Sequence, residues 1–170
     1  MFKIIDGDLL DATEDYICHQ TNCTSNGAAA GLAHALFERF PWANCYNDRE
    51  KVSEPGTIEL REDSASSACG KNRKVVNMNG QYKPGGMVLN CIGPGKSLIV
   101  DQYDSPEKRI GHFRNCIIAM SRQLPKDSSY AFPWLIGCGI AGGDWGLYIT
   151  MLKNFESYVR GDVTLYKLPS

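Results

Sequence analysis

Residues 136–145 read Ile-Gly-Cys-Gly-Ile-Ala-Gly-Gly-Asp-Trp. An apolar run stops at Gly137, and a helix-like segment begins after Asp144. Strand, glycine loop and helix start, in that order, leave backbone N–H groups free to surround an anion. Glycine lets the backbone approach a ligand closely and permits positive φ. The stretch has neither the Gly-Lys-Ser/Thr ending of a P-loop nor a Gly-x-Gly-x-x-Gly fingerprint, and a plain strand-to-helix turn satisfies the same pattern. A second small-residue stretch, Asn22 to Gly31, follows His19 and Gln20. A histidine there can move protons near neutral pH, its ordinary pKa being about 6.5. It can equally be a half-buried strand residue bonded to a carbonyl. Asp144 can activate a water or cap the helix behind it. Cys138 is either a thiol nucleophile or a small filler inside the glycine loop.

Composition narrows the field. The chain has 170 residues, enough for a single domain over 1–170 with its own core. A net charge of −1 gives no strong nucleic-acid footprint. The seven cysteines include no Cys-x-x-Cys pair, so zinc spacing is absent and no metal is expected. Reduced thiols used as small hydrophobes fit a cytoplasmic setting, to which the nucleus can be added. The N-terminus lacks a signal-peptide run, and no stretch is apolar for the ~18 residues a membrane span needs. No cofactor is expected, and a monomer is the default.

These groups must be positioned by ordered elements. Phe2–Ile5 and Tyr16–Gln20 read as short strands. A helix follows with Leu32, Ala33, Leu36, Phe37 and Phe40 on one face. Trp42–Lys51 is expected as a second, weakly amphipathic helix. Thr57–Arg61 and Lys74–Met78 read as strands, the latter leading into Asn79-Gly80-Gln81. Asp63–Asn72 reads as an exposed loop, and Tyr82–Tyr103 as an irregular region that can hold a hairpin. Ser105 caps a helix with Pro106 at its first position and Ile110, Phe113, Ile117, Met120 and Leu124 inward. Tyr130–Ile136 reads as a buried strand, Trp145–Val159 as a helix, and Val163–Leu168 as a last strand. Strands alternating with helices imply an α/β fold with a mixed or parallel sheet covered on both faces. Ligands of such sheets bind beyond the carboxyl ends of the strands.

Taken together, these residues resemble the macro domain, a family that binds ADP-ribose. The resemblance is carried by Gly7-Asp8-Leu9-Leu10 after the first strand and by His19-Gln20-Thr21-Asn22-Cys23 before the small-residue loop. Ala30-Gly31-Leu32-Ala33 then opens the helix that ends in Phe40-Pro41. The last and strongest piece is the run from Ile136 to Trp145. It spans nearly the whole chain and implies a three-layer α/β/α fold with a central mixed, mostly parallel sheet of about six strands. The chain looks most like the small stand-alone members that include ADP-ribose 1″-phosphate phosphatases. It looks less like the glycohydrolases with a catalytic lysine and a loop aspartate, whose positions correspond here to Gly80 and Ala141.

The resemblance implies roles for single residues. Asp8, with Leu9 beside it, would meet the adenine amino group. Asn22 would meet the distal ribose, and Gln81 that ribose or its 1″ substituent. Ala28, Ala29, Ala30 and Gly31 would face the diphosphate from one side. Ile136, Gly137, Cys138, Gly139, Ile140, Ala141 and Gly142 would face it from the other. His19 and Asp144 are the catalytic candidates. The three alanines stand where the family carries glycines, so their Cβ atoms would narrow the pocket or reroute the loop. The implied activity is hydrolysis of a substituent on the distal ribose, the 1″-phosphate first and an acetyl ester or protein-linked ADP-ribose second. A non-catalytic ADP-ribose reader uses the same pocket. ADP-ribosylated protein or nucleic acid is a further partner; a membrane is not. Binding of RNA or poly(ADP-ribose) ranks last, because no basic groove accompanies the aromatic residues.

Overall fold

A computed structural model describes residues 1–64, 72–85, 104–139 and 141–169. Its elements are β1 (Phe2–Asp6), β2 (Tyr16–Asn22), α1 (Gly31–Arg39), β3 (Ile58–Glu62), β4 (Lys74–Gln81), α2 (Pro106–Gln123), β5 (Tyr130–Pro133), α3 (Trp145–Tyr158) and β6 (Val163–Lys167). The strands form one six-stranded sheet in the order β1-β6-β5-β2-β4-β3. Every pairing is parallel except β3 with β4.

The two-residue period of the strands divides the core. Ile17, Val75 and Ala131 face α1, where Leu36, Phe37, Phe40, Ala43 and Tyr46 close one buried cluster. Cys18, Val76, Met78, Tyr130, Phe132, Val163 and Leu165 face α2 and α3, where Phe113, Met120, Tyr148, Leu152 and Phe155 close the other. The result is a three-layer α/β/α arrangement, as expected from the sequence. The predicted helix caps are formed: Ser105 Oγ accepts from Lys108 N at 3.1 Å, with Pro106 behind it.

Three expectations are corrected. Trp42–Lys51 is not a helix. A single 3-10 turn, Pro41–Ala43, is followed by bends, and Asn44 Oδ1 takes Tyr46 N at 2.9 Å instead of leaving it to a helical carbonyl. Strand β4 continues through Gln81, beyond Met78. Its asparagines are poor strand formers, but their amides are satisfied inside the fold. Asn77 bonds His19, Ala43 O and Glu59 O, and Asn79 bonds Thr21, Thr57 and Arg49. Strand β5 stops at Pro133 and the chain turns at once. Leu135 sits at φ 62, a left-handed conformation uncommon outside glycine, with its side chain exposed while Ile136 is buried. Most of Tyr82–Tyr103, with its expected hairpin, most of the Asp63–Asn72 loop, and Ile140 lie outside the described residues.

Candidate functional site

The sheet has a topological switch point between β2 and β5, which pair side by side and run parallel. The chain leaves β2 toward α1 on one face and leaves β5 toward α3 on the other. A crevice opens where neighbouring connections diverge, at the carboxyl ends of the strands. The Asn22–Gly31 and Gly137–Gly143 loops flank it, and the ends of β4 and β1 bring Gln81 and Asp8 to the same edge.

Backbone donors line both loops. No side chain caps α1 at Ala30, and the N–H groups of Gly31, Leu32 and Ala33 that precede the His34 N to Ala30 O bond meet no acceptor among the described residues. In the second loop, tight turns use the N–H groups of Ile136, Cys138, Gly142 and Gly143. Those of Gly137, Gly139 and Ala141 have no acceptor among the described residues. Free amides beside a helix N-terminus favour an anion without any basic side chain. Ala28 and Ala30 are exposed, and Ala29 packs partly against the α1-side core. Gly31, at φ 58, turns the chain into the helix.

Around the crevice the loops are tied together by a network that sequence reading missed. Arg109, on the first turns of α2, is 3% exposed, and Asp104 is 2% exposed. They form a bidentate pair with N–O distances of 2.6 and 2.7 Å. The same guanidinium donates to Gly85 O at 2.8 Å, Lys83 O at 3.3 Å and Ala141 O at 3.3 Å. Asp104 also accepts from Lys83 N at 3.3 Å. One buried ion pair thus holds the exit of β4 and the second loop. Tyr82 O accepts from Cys23 N at 3.0 Å, which adds the first loop. The only sequence signal was an arginine on the helix face that otherwise carries Phe113, Ile117 and Met120.

The polar candidates differ in what they have left to offer. Gln81 donates to Lys83 O and Gly85 O and accepts from Gln20 Nε2 at 2.6 Å, so both its N–H groups are engaged. Asn22 Oδ1 takes Thr24 N and Ser25 N, and Nδ2 donates to Tyr46 Oη at 3.1 Å. One N–H of its amide remains for a ligand. Arg49 supports this corner: its guanidinium lies 4.7 Å from the Tyr46 ring centroid and donates to Ser25 O at 3.1 Å. Asp8 caps a 3-10 turn through Leu10 N at 2.9 Å, while Leu9 is buried in the core and reaches the edge only through its backbone. Trp145 stacks edge-on against Trp134 at 4.9 Å.

The two catalytic candidates stand in opposite environments. Asp144 is exposed and caps α3, accepting from Gly146 N at 2.9 Å. His19 is fully buried, edge-on to Phe37, and bonded to Asn77 at 2.5 Å. Burial lowers its pKa to about 4, against a smaller opposing effect of Asn77. His19 therefore sits inside the core beside Phe37 with no surface open to the crevice, the placement of the half-buried strand histidine that the sequence also allowed. Cys138 is also no thiolate: burial, then the Asp144 charge, pushes it up to about 11. No group of three or more His, Cys, Asp or Glu side chains among the described residues could hold a metal ion.

His19 predicts a pH dependence. Its folded pKa near 4 lies below the ordinary 6.5, so between these values the unfolded chain binds more protons. Its stabilising contribution is complete above pH 6.5 and falls as pH drops toward 4. The full loss is about 3 kcal/mol at 1.36 kcal/mol per unit. Urea midpoints from pH 7.5 to 4.5 should fall more steeply for wild type than for His19→Gln; parallel curves would refute the assignment.

No protein-family model matches the sequence, and no curated protein does. Solved structures share the fold. The macrodomain of Mycobacterium tuberculosis DarG superposes with a TM-score of 0.68 at 18% identity, covering 100% of this chain and 99% of that one. An alphavirus P23pro-zbd chain gives 0.63 at 20% identity over 99% of this chain, which spans 22% of the viral chain. A Trypanosoma brucei macrodomain solved in complex with ADP gives 0.56 at 14% identity, covering 99% of this chain and 64% of that one. At these identities the likeness is one of fold: the chain has the macrodomain architecture.

Proposed function

We propose that the crevice at the β2–β5 switch point binds ADP-ribose or a derivative, its diphosphate cradled by backbone amides of the two loops. The observation that carries this is the uncapped start of α1 beside a loop whose Gly137, Gly139 and Ala141 N–H groups have no acceptor among the described residues. A chain of net charge −1 can hold two phosphates in this way. Asp8 follows β1, two strand positions from β5, about 10 Å at ~4.8 Å per strand. That separation suits a nucleoside reaching from the diphosphate to a carboxylate that accepts from an adenine amino group. The ADP held by the trypanosomal macrodomain belongs to the same chemical class. Asn22, with one free N–H, would donate to a distal ribose hydroxyl.

Hydrolysis of a 1″ substituent, phosphate first, is the second reading. It is favoured by the exposed Asp144, whose cap uses Oδ1 and leaves the other oxygen free to activate water. With His19 in the core, Asp144 is the remaining catalytic candidate.

Calorimetric titration with ADP-ribose tests the first reading, and phosphate release from ADP-ribose 1″-phosphate tests the second. Asp144→Asn separates cap from catalyst. Asparagine caps as well as aspartate, whereas Asp144→Ala should cost about 1 kcal/mol of stability. The expected result is that Asp144→Asn keeps stability and affinity but loses turnover. Absence of ADP-ribose binding by the wild type sinks the function outright. Binding without phosphate release leaves a reader.

A further inference from the structure

A second surface lies away from the crevice, on the outer side of the helical layer. Helices α2 and α3 leave between them a groove of about 550 Å³, within the ~300–1,000 Å³ range of sites that take ligands. Its floor is apolar, with Ile117, Met151 and Phe155, and Ile118 and Tyr158 stand at its edge 40% and 61% exposed. Its rim is basic: Arg114, Arg122 and Lys126 line it and no carboxylate does. None of these three cations has an ion-pair partner among the described residues. Elsewhere the surface cations Lys3, Arg39, Arg61 and Arg160 are each paired with an aspartate.

The arrangement along α2 is periodic. Arg114, Ile118 and Arg122 follow one another at four-residue steps and are all exposed. This gives a charge–apolar–charge stripe about 12 Å long at 1.5 Å per residue. It has the complement of an amphipathic helix that carries acid, aliphatic and acid at the same spacing. We propose that the α2–α3 groove docks such an acidic amphipathic helix from a partner protein. Its aliphatic side chain enters between Ile118 and Met151, and its carboxylates meet Arg114 and Arg122. Helix-in-groove docking of this kind is anchored by apolar side chains and steered by charge. A nucleic acid fits less well: among the lining rings Phe155 is fully buried, so Tyr158 alone offers a stacking face. The proposal is independent of the ADP-ribose reading. Arg109, at the crevice, precedes Arg114 by five residues, about 7 Å along the helix, so crevice and groove can be filled together.

The test uses the full chain and a fluorescein-labelled helical peptide with Glu, Leu and Glu at i, i+4 and i+8 on an Ala/Gln background. A control peptide carries Lys for Glu, and a labelled 12-nucleotide oligouridylate is the nucleic-acid control. Anisotropy should show binding of the acidic peptide that weakens with added salt. Backbone amide shifts should change along Arg114–Arg122 and Met151–Tyr158. The Arg114→Glu/Arg122→Glu double variant and Ile118→Asp should each lose on the order of tenfold or more in affinity. All three residues are exposed, so melting temperature should be unchanged; Arg114→Gln/Arg122→Gln serves as the milder variant should charge reversal unsettle α2. The proposal is overturned if the acidic peptide does not bind, if the Lys peptide binds equally, if the variants bind like wild type, or if the oligouridylate occupies the groove in preference.

Discussion

Replacing Arg109 with methionine is expected to cost about 3–5 kcal/mol of folding stability, the range for removing one partner of a buried ion pair. Among the described residues, Asp104, 2% exposed, would be left with Lys83 N as its hydrogen-bond partner. Against a total stability of about 5–15 kcal/mol this is a large fraction. The same change takes the guanidinium away from Lys83 O, Gly85 O and Ala141 O; Gln81 Nε2 still donates to the first two, so among the described residues Ala141 O is left without a donor. The Ala141–Gly142 peptide is held on both sides, its carbonyl by Arg109 and its N–H by Gly139 O at 3.1 Å. Without the first hold, the loop amides lose their fixed direction, and ADP-ribose affinity should fall at least about tenfold beyond any effect of unfolding. Two further variants separate the terms. Arg109→Lys keeps the charge but not the fork, so it should recover part of the stability and little of the affinity. Asp104→Leu/Arg109→Met replaces the pair with apolar groups and should recover stability without recovering affinity. Urea unfolding and calorimetry at pH 7 read both quantities. If the double variant binds like wild type, Arg109 is a core residue with no bearing on the crevice.

Arg109 also marks where sequence reading reaches its limit. The layers, the helix faces and the two small-residue loops were legible because each follows a short-range rule: period two in strands, three to four in helices, small residues where the backbone must come close. The Ser105 and Asp144 caps follow one too. What escaped depends on partners far apart in the chain. Asn79 read as lying just past a strand end, yet it is inside β4 because Thr21, Thr57 and Arg49 complete its hydrogen bonds. His19 read either as a proton shuttle at a loop mouth or as a half-buried strand residue. Its place on β2 turns it toward Phe37, and alternation along the strand favours the second reading, since Ile17 and Thr21 share its face. Arg49 and Arg109, whose side chains are nearly buried, were not singled out, because an arginine announces nothing of the carbonyls it will collect. The turn at Leu135 was hidden by the apolar run around it.

Gly137→Ala should be the most damaging single change in the second loop. Gly137 has φ +72, which costs an alanine roughly 1–2 kcal/mol by itself. Its Cβ would also overlap the Tyr148 ring and lie 3.0 Å from Gln20 Oε1. Tyr148 cannot give way. It is 1% exposed, with the Phe113 ring 4.6 Å away. Overpacking at such a site costs a further ~1–3 kcal/mol. Relief must come from the loop, and the bond from Gly143 N to Gly137 O, 2.9 Å, is the first to go. Gly143 is no freer to adjust, since a Cβ there would lie 2.6 Å from that same carbonyl. A combined loss of about 2–5 kcal/mol in stability is expected, with ADP-ribose binding reduced by ~100-fold or more if even 3 kcal/mol falls on the bound state. Gly139→Ala is the matched control. Its Cβ would meet nothing within 4 Å and its φ is not positive, so stability should stay within about 0.5 kcal/mol of wild type. Any affinity lost there reports a ligand lying against the loop rather than a damaged loop. Equal, full affinity in both variants would mean that the diphosphate lies elsewhere, and the crevice would lose its assignment while the fold kept its own.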